Sequence, residues 1–445
     1  MTDLVLHGPG NGRMVGGDAE AAAVEALRDV VGQRLAAAAV GTELPAAERS
    51  AAVDAAIADA LDGYARQQLR AGRPPLDADA EARVRRSLRD LFTGVGGLQA
   101  LLDDPTIETI NISGFDNVWV RRRDGSKQRV GPVASSDAEL EVLLREQGAA
   151  AARRGGHERR FDRAEPELSL QLPNGARLHA LMDVTDRVAA SIRLFPPRQD
   201  TLRDLVGKGE LTAGMAALFE ALVRARRNIV VSGGPAAGKT TLLGALGCAI
   251  PAQRRVILIE DTSELRFDRN DHPDMLAIQT RMANTEGAGE FDMSRALRSS
   301  LRMSPDVVIV GEVRGAEVVW MAKAMSIGID GSMCTVHASD SAQALLRLVA
   351  YAMEPPALYP RSAAVALLAS AVHFVIHLDF TPEGVRVVSS VREVAGTDGD
   401  QIISNEVYRP GPDKRAVPAT QLRTETLERL AAVGFDPAHL EWDRW

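Results

Sequence analysis

The stretch that most constrains the fold of this chain is a glycine-rich turn between an apolar run and a helix-forming run. The apolar, β-prone residues 228–232 precede the turn, and residues 242–246 follow it with a helical pattern. Glycines allow successive backbone N–H groups to turn inward around phosphate oxygens, and the start of a helix adds free amides and a positive dipole end. The turn follows the spacing G-x-x-x-x-G-K-[ST] and consists of Gly233, Gly234, Pro235, Ala236, Ala237, Gly238, Lys239, Thr240 and Thr241. Strand, loop and helix in this order predict a binding site for a nucleoside triphosphate.

Two side chains of this turn have expected roles. Lys239 should reach the β- and γ-phosphates, and the Thr240 hydroxyl should ligate Mg²⁺. The alternative is a plain glycine turn with a solvated lysine, which the complete motif in its proper setting disfavours. The predicted cofactors are therefore ATP and Mg²⁺.

Composition narrows the class of protein. The 445 residues, 45% hydrophobic and 25% charged, suit two or three globular domains. The net charge of −8 argues against a protein that mainly coats nucleic acid. Two cysteines far apart in sequence, Cys248 and Cys334, indicate a reduced cytosolic protein with buried thiols. We expect a cytoplasmic location, because residues 1–17 lack a signal-peptide pattern and the longest apolar run, 363–378, is too short and polar to span a bilayer.

The pattern of apolar and polar residues changes several times along the chain. Helical spacing in the N-terminal part gives way after a glycine cluster to period-two alternation, and then to apolar runs that alternate with helices. A third N-terminal helix is predicted to start near Asp77 or Asp79. The predicted segments are a disordered tail (1–17), a helical segment (18–93), a small α+β domain (94–197), a hinge (198–201) preceded by Pro196-Pro197, an α/β domain with a largely parallel sheet (202–420), and a C-terminal helix and tail (421–445).

The α/β domain is predicted from short buried runs with turn signals between them. Its predicted parallel strands are 229–231, 256–259, 307–310 and 332–336. Three later runs are predicted to form a closing meander at 373–378, 385–391 and 402–408.

An acid, Glu312, follows the apolar run 307–310. In open α/β sheets ligands bind at the carboxyl ends of the strands. Glu312 is therefore predicted to face the γ-phosphate, where it would hold metal-bound water or polarise the attacking water. The alternative is a structural acid that forms a salt bridge with Arg314.

Three more carboxylates, Glu260, Asp261 and Glu264, follow the apolar run 256–259. Acids this close together beside a phosphate site would repel one another without a cation, and Mg²⁺ is the expected one. Glu260, Asp261, Thr240 and Glu312 are the predicted metal ligands. An exposed acidic turn is the alternative.

A histidine, His337, follows the run 332–336 and Thr335. At a strand end it could sense the γ-phosphate, although a lone histidine in such a place is more often structural. Residue chemistry alone leaves both readings open.

Taken in order, these motifs resemble a known family. The glycine turn, E-D-T-x-E-L, L-R-x-x-L-R-M-x-P-D-x-x-x-x-G-E-x-R and G-S-x-x-T-x-H-A are similar to those of secretion ATPases of type II and type IV systems, most of all the CpaF-type branch that drives Tad (Flp) pilus assembly. The resemblance covers about residues 94–410. It implies a RecA-like domain that hydrolyses Mg-ATP in a ring, expected to be a hexamer, and that works on a membrane platform protein at the inner face of the membrane.

The resemblance also implies roles for individual residues. The turn 233–241 corresponds to the Walker A motif, and the acids after the second strand correspond to an aspartate box whose last member, Glu264, helps set up metal and water. Glu312 ends the Walker B motif as the activator of water, and His337 belongs to a histidine box. Arg177 and Arg193 match arginines that reach the γ-phosphate; the alternatives are that these two face solvent, or that Arg298 and Arg302 take that part.

Two features limit the resemblance. The segment 153–160 is basic and irregular where many relatives are longer and more apolar, and the four-cysteine zinc module of the type II branch is absent, which favours the CpaF-like side.

A conjugation or partition motor that moves DNA with the same fold is the main alternative function. A regulatory switch that binds ATP without turnover is disfavoured, because the acid, arginine and histidine elements are all present.

Overall fold

The computed structural model describes residues 16–38, 46–93, 96–153, 160–195, 199–281, 283 and 288–441. The chain forms two compact units, Met1–Leu194 and Phe195–Trp445. Most of the predicted disordered tail, most of the basic segment 153–160 and the prolines beside the predicted hinge lie outside the described residues. The predicted domain boundaries therefore stay predictions.

The first unit begins with three helices that share one apolar cluster. Their bounds are α1 (Gly16–Ala38), α2 (Ala46–Arg70) and α3 (Ala78–Thr93). Leu27, Val31, Ile57 and Leu88 are each at most 3% exposed and pack together in this cluster. Helix α3 begins where the sequence predicts it, because the Asp77 carboxylate accepts the backbone N–H of Ala80 at 2.7 Å.

The rest of this unit contains a six-stranded antiparallel sheet and two helices. The order of the strands is β3-β2-β1-β6-β5-β4. Period-two alternation buries one face, including Ile110, Leu178 and Ile192, and leaves the other face exposed. After a 3₁₀ turn at Gly96–Leu98, its elements are α4 (Gln99–Leu102), β1 (Ile107–Ser113), β2 (Val118–Arg122), β3 (Lys127–Val130), α5 (Asp137–Arg153), β4 (Glu167–Gln171), β5 (Arg177–Leu181) and β6 (Ala189–Arg193).

The second unit is built on a nine-stranded mixed sheet with the order β15-β14-β13-β12-β7-β11-β10-β8-β9. Its first elements are α6 (Leu202–Gly207), α7 (Ala213–Arg224), β7 (Ile229–Gly233), α8 (Lys239–Cys248), β8 (Val256–Glu260), β9 (Met275–Gln279), α9 (Met293–Ser300), β10 (Val307–Val310) and α10 (Val318–Ser326). The later ones are β11 (Met333–His337), α11 (Ser341–Met353), α12 (Arg361–Ala371), β12 (Phe374–Phe380), β13 (Arg386–Asp398), β14 (Gln401–Pro410), β15 (Ala416–Pro418), α13 (Thr424–Ala431) and α14 (Ala438–Glu441).

The strands from β12 to β9 run parallel to one another, as expected for an α/β domain. Helices cover both faces of this part of the sheet, with α6, α7 and α8 in one apolar cluster and α9 to α12 in the other. Burial on two sides explains why its central strands are continuous apolar runs. The predicted meander is present as β12, β13 and β14, and β12 also extends the parallel part by pairing with β7.

Among the described residues, no helix combines the length and the apolar character that crossing a bilayer requires.

Candidate nucleotide site

The carboxyl ends of four neighbouring parallel strands bring the predicted motifs to one edge of the sheet. The order is β7, β11, β10, β8, and His337 stands opposite Gly233 in the register of β11 and β7. The Gly311 N–H, just before Glu312, donates to the carbonyl of Ile259 at 2.8 Å, next to the acids that follow β8. Residues far apart in sequence therefore meet where α/β sheets bind their ligands.

The turn between β7 and α8 needs glycine at two places. A Cβ at Gly233 would lie 2.7 Å from the carbonyl oxygen of Leu378, which leaves no room for a side chain. Gly238, the residue before α8, has a left-handed backbone with φ of 94°. Ala236 also has a positive φ, 59°, so backbone strain is concentrated in this turn.

Lys239 lies across this turn. Its side chain is 7% exposed, and its ammonium group donates to the Gly234 carbonyl at 2.8 Å. The same Nζ lies 3.1 Å from Nδ1 of His337. Thr240 and Thr241, the next two residues, are half-exposed.

His337 connects Lys239 to Glu312. Its Nε2 lies 3.0 Å from Oε1 of Glu312. Since an ammonium group can only donate, Nδ1 must accept from Lys239, and the ring hydrogen is on Nε2, which donates to Glu312. Burial and the charge of Lys239 lower the pKa of His337, in keeping with this neutral tautomer.

Arg314 holds the other oxygen of Glu312. Its Nε and Nη2 donate to Oε2 at 2.8 and 2.5 Å, and its Nη1 lies 3.4 Å from Oδ2 of Asp261. The hydrogen bond to Glu312 raises the pKa of Arg314. Glu312 thus combines both readings of the sequence: it lies at the predicted strand end, and it forms the salt bridge with Arg314.

The three acids at the carboxyl end of β8 do not converge. Glu260 is 4% exposed, its Oε1 accepts the N–H groups of Glu264 and Leu265 at 3.2 and 3.1 Å, and burial raises its pKa to about 8. Asp261 is exposed and accepts the Thr280 hydroxyl at 2.8 Å. Glu264 is half-buried.

The chemistry of the donors fits Mg²⁺, which prefers hard oxygen ligands. Thr240, Asp261 and Glu312 supply such oxygens, whereas the Glu260 carboxyl is turned into its own loop. Within the part of the chain that the structure describes, no three His, Cys, Asp or Glu side chains are grouped as a ready-made metal site. A metal here would have to share its ligands with a phosphate chain.

The four candidate arginines lie in different surroundings. Arg177 and Arg193 are exposed and stand directly opposite each other on β5 and β6. Like charges in such a pair repel, so a bound anion would stabilise them. Arg298 instead stacks on Trp320, 5.5 Å from the ring centre. Arg302 is exposed.

Two contacts of the site could not be predicted from any pattern in the sequence. The Arg386 Nε donates to the Ala236 carbonyl at 2.9 Å, 150 positions away along the chain. Beneath the turn, the buried Ser232 hydroxyl pairs with Nδ1 of His377 at 2.9 Å. Both contacts join β7 and its loop to the meander, and only the packing of the sheet creates them.

Comparison with known proteins identifies relatives over most of the chain. The family model described as "Type II/IV secretion system protein" matches residues 98–389. A conjugal transfer-type protein of Mycobacterium tuberculosis (strain H37Rv) is 33% identical over 322 residues, which cover 71% of this chain and 88% of the relative. The conjugal transfer protein TrbB of Rhizobium radiobacter is 28% identical over 320 residues, with 71% and 91% covered.

Solved structures of similar proteins include two ATPases. The VirB11 ATPase of the Brucella suis type IV secretion system, crystallised with sulphate, is 26% identical and covers 70% of this chain and 96% of its own, with a TM-score of 0.35. The ATPase DotB of Legionella pneumophila is 18% identical with a TM-score of 0.47, and 66% of this chain and 78% of that one are covered.

Proposed function

Because this chain belongs to the type II/IV secretion system protein family, we propose that it is a motor that hydrolyses Mg-ATP. The contacts from Lys239 through His337 to Glu312 carry the proposal. They join the phosphate-binding lysine, a neutral imidazole and a carboxylate at the carboxyl edge of one parallel sheet. A transport ATPase of this family would couple such a site to work on a membrane partner.

The residues of the turn would bind the triphosphate. Lys239 would leave the Gly234 carbonyl for the β- and γ-phosphates, and the backbone N–H groups from Gly234 to Thr241 would surround the phosphate oxygens. Thr240, Asp261 and Glu312 would hold Mg²⁺ directly or through water, and the ion would supply Lewis-acid stabilisation of the phosphate charge.

Glu312 would orient the attacking water. Its carboxylate is paired with Arg314 and His337, so one of these contacts must loosen before an oxygen can accept a hydrogen bond from water. His337 would act as a neutral sensor that changes partner when Lys239 moves to the phosphates. Glu264 would support the metal and its water from the neighbouring loop. We also propose that Arg177 and Arg193 offer positive charge to the γ-phosphate.

We further propose which transport system the motor serves. The motif pattern favours a Tad (Flp) pilus or secretion motor, a hexameric ring in the cytoplasm that works on an inner-membrane platform protein and is held at the membrane by that partner. The names of the relatives favour the second candidate, a conjugal transfer ATPase, to a comparable degree. Stimulation of ATP turnover by membranes that contain a platform protein supports the first candidate, and stimulation by DNA supports the second.

Replacement of Lys239 tests the proposed function. Lys239→Ala should reduce ATP turnover at least about 100-fold, because the phosphates lose their main positive charge. Steady-state phosphate release measures the turnover of Lys239→Ala. The variant Glu312→Gln should still bind ATP while hydrolysing it slowly. Unchanged turnover in Lys239→Ala would remove the basis of the proposal. If Glu312→Gln lost ATP binding to the same degree as ATP hydrolysis, Glu312 would have a structural role.

A further inference from the structure

The geometry points to a role for Arg314 that the family motifs do not supply: we propose that it is the resident counter-ion of Asp261 and Glu312, and that it keeps free divalent cations off these acids until nucleotide binds. The inference rests on the proposed Mg²⁺-dependent function. In this proposal, Arg314 determines when Asp261 and Glu312 become available to a metal ion.

The contacts of Arg314 single it out. One guanidinium group reaches Glu312 with two nitrogens and Asp261 with the third. The two acids follow the neighbouring parallel strands β10 and β8, so Arg314 bridges the two strand ends where metal ligands are expected. Such a forked contact uses the oxygen lone pairs that a cation would otherwise take.

The charges explain why a counter-ion is needed. The Glu312 side chain is only 17% exposed, and a carboxylate with so little water is costly to keep unpaired. His337 contacts the same carboxylate through Nε2, 3.0 Å from Oε1 of Glu312. Among the described residues, Arg314 is the cation that forms an ion pair with both acids.

Competition follows from this arrangement. The guanidinium group donates twice to Oε2 of Glu312 and lies 3.4 Å from Oδ2 of Asp261, so a divalent cation must compete with it for these oxygens, and the two positive charges repel each other. Free cations therefore meet an occupied site in the nucleotide-free protein. A triphosphate adds negative charge and oxygen ligands of its own, so we expect metal to bind together with the nucleotide and Arg314 to be displaced at that moment.

Binding of Mn²⁺ to the nucleotide-free protein tests the proposal. The variant Arg314→Gln should bind Mn²⁺ at least about tenfold more tightly than the wild type, since the acids lose their competitor. Electron paramagnetic resonance of free Mn²⁺ measures this without any turnover. The matched control is Arg224→Ala, an exposed arginine in the last turn of α7, which should leave Mn²⁺ binding unchanged.

A second substitution identifies the ligands. Adding Asp261→Asn to Arg314→Gln should abolish most of the gain in Mn²⁺ affinity. If the single variant gains nothing, or if the gain survives in the double variant, the proposed role is overturned. Should Arg314→Gln fail to fold, Arg314→Lys replaces it, because one ammonium group cannot bridge both acids; wild-type Mn²⁺ binding in that variant counts against the proposal.

Failure of the proposed role of Arg314 and failure of the proposed ATP-hydrolysing function give different results. A protein that hydrolyses ATP in a Lys239-dependent manner, yet shows no Mn²⁺ gain in Arg314→Gln, refutes only the role of Arg314. A protein without ATP turnover refutes the motor, whatever its Mn²⁺ binding.

Discussion

Two carboxyl groups at neighbouring strand ends, Glu260 and Glu312, have opposite surroundings. Glu312 is paired with the charged Arg314. Glu260 is buried and accepts two backbone N–H groups; burial outweighs these hydrogen bonds and raises its pKa to about 8. At neutral pH the Glu260 side chain is therefore mostly protonated, and its contacts hold the loop that carries Glu264.

The pH dependence of stability tests this account of Glu260. Between its ordinary pKa of 4.5 and about 8, the unfolded chain releases the proton and the folded chain keeps it, so stability falls as pH rises through this window. Glu260→Gln does not titrate. Thermal melting from pH 5 to 9 should show the wild type losing Tm relative to the variant as pH rises. Parallel curves would show that the pKa of Glu260 is not raised.

Among the elements, helix α13 is linked to strand β13 of the sheet through one buried acid. Glu393 on β13 is 0% exposed and accepts the backbone N–H and Nε of Arg423 at 3.0 and 3.1 Å. It also accepts the Thr426 hydroxyl. Because Arg423 precedes the first turn of α13, the carboxylate also lies where a helix favours negative charge.

Removal of this acid should weaken the attachment of α13 to the sheet. Glu393→Ala leaves Arg423 and Thr426 without their acceptor and should lower the free energy of unfolding by on the order of 3 kcal/mol. Denaturant unfolding measures the loss, and hydrogen exchange locates it in α13. The control is Glu425→Ala, which breaks only an exposed pair with Arg429 on the same helix and should cost about 0.5 kcal/mol. Similar losses in both variants would contradict the role of Glu393.

The elements also show which parts of the fold a sequence pattern can predict. Central strands such as β7 and β10 were predicted because burial on both faces requires continuous apolar residues. Edge strands β3 and β9 were missed. Strand β3 is polar and mostly exposed, so it carries no apolar pattern. Strand β9 does carry a short apolar run, Met275–Ile278, but its residues are exposed or half-exposed, and pairing with β8 defines it as a strand.

At the scale of the whole molecule, the apolar residues form separate clusters. Helices α1 to α3 share one cluster in the first unit, while α8, which follows the glycine-rich turn, belongs to a cluster of the second unit. Packing energy is local to such clusters. Damage to one of them should therefore affect the regions of the chain unequally.

Two core substitutions test this separation. Leu88→Ala in α3 should cost about 2–5 kcal/mol within the helical cluster and leave the Kd for ATP within about twofold. Leu246→Ala in α8 should cost a similar amount and weaken ATP binding as well, because α8 positions the turn. Calorimetry of unfolding and of nucleotide binding provides both readouts. A tenfold change in Kd for Leu88→Ala would show that the two regions are coupled.

The sequence by itself determined the glycine-rich turn, the central strands and the acids and histidine at their ends, because these depend on local backbone preferences and on burial. Only the tertiary structure decided which of these side chains touch. Lys239 and His337 are 98 positions apart, and Arg314 and Asp261 are 53 apart. Strand order sets such contacts, and no local pattern encodes strand order. For the same reason the different surroundings of Glu260 and Glu312 became visible only in the folded chain, where one carboxyl is buried in its own loop and the other meets an arginine.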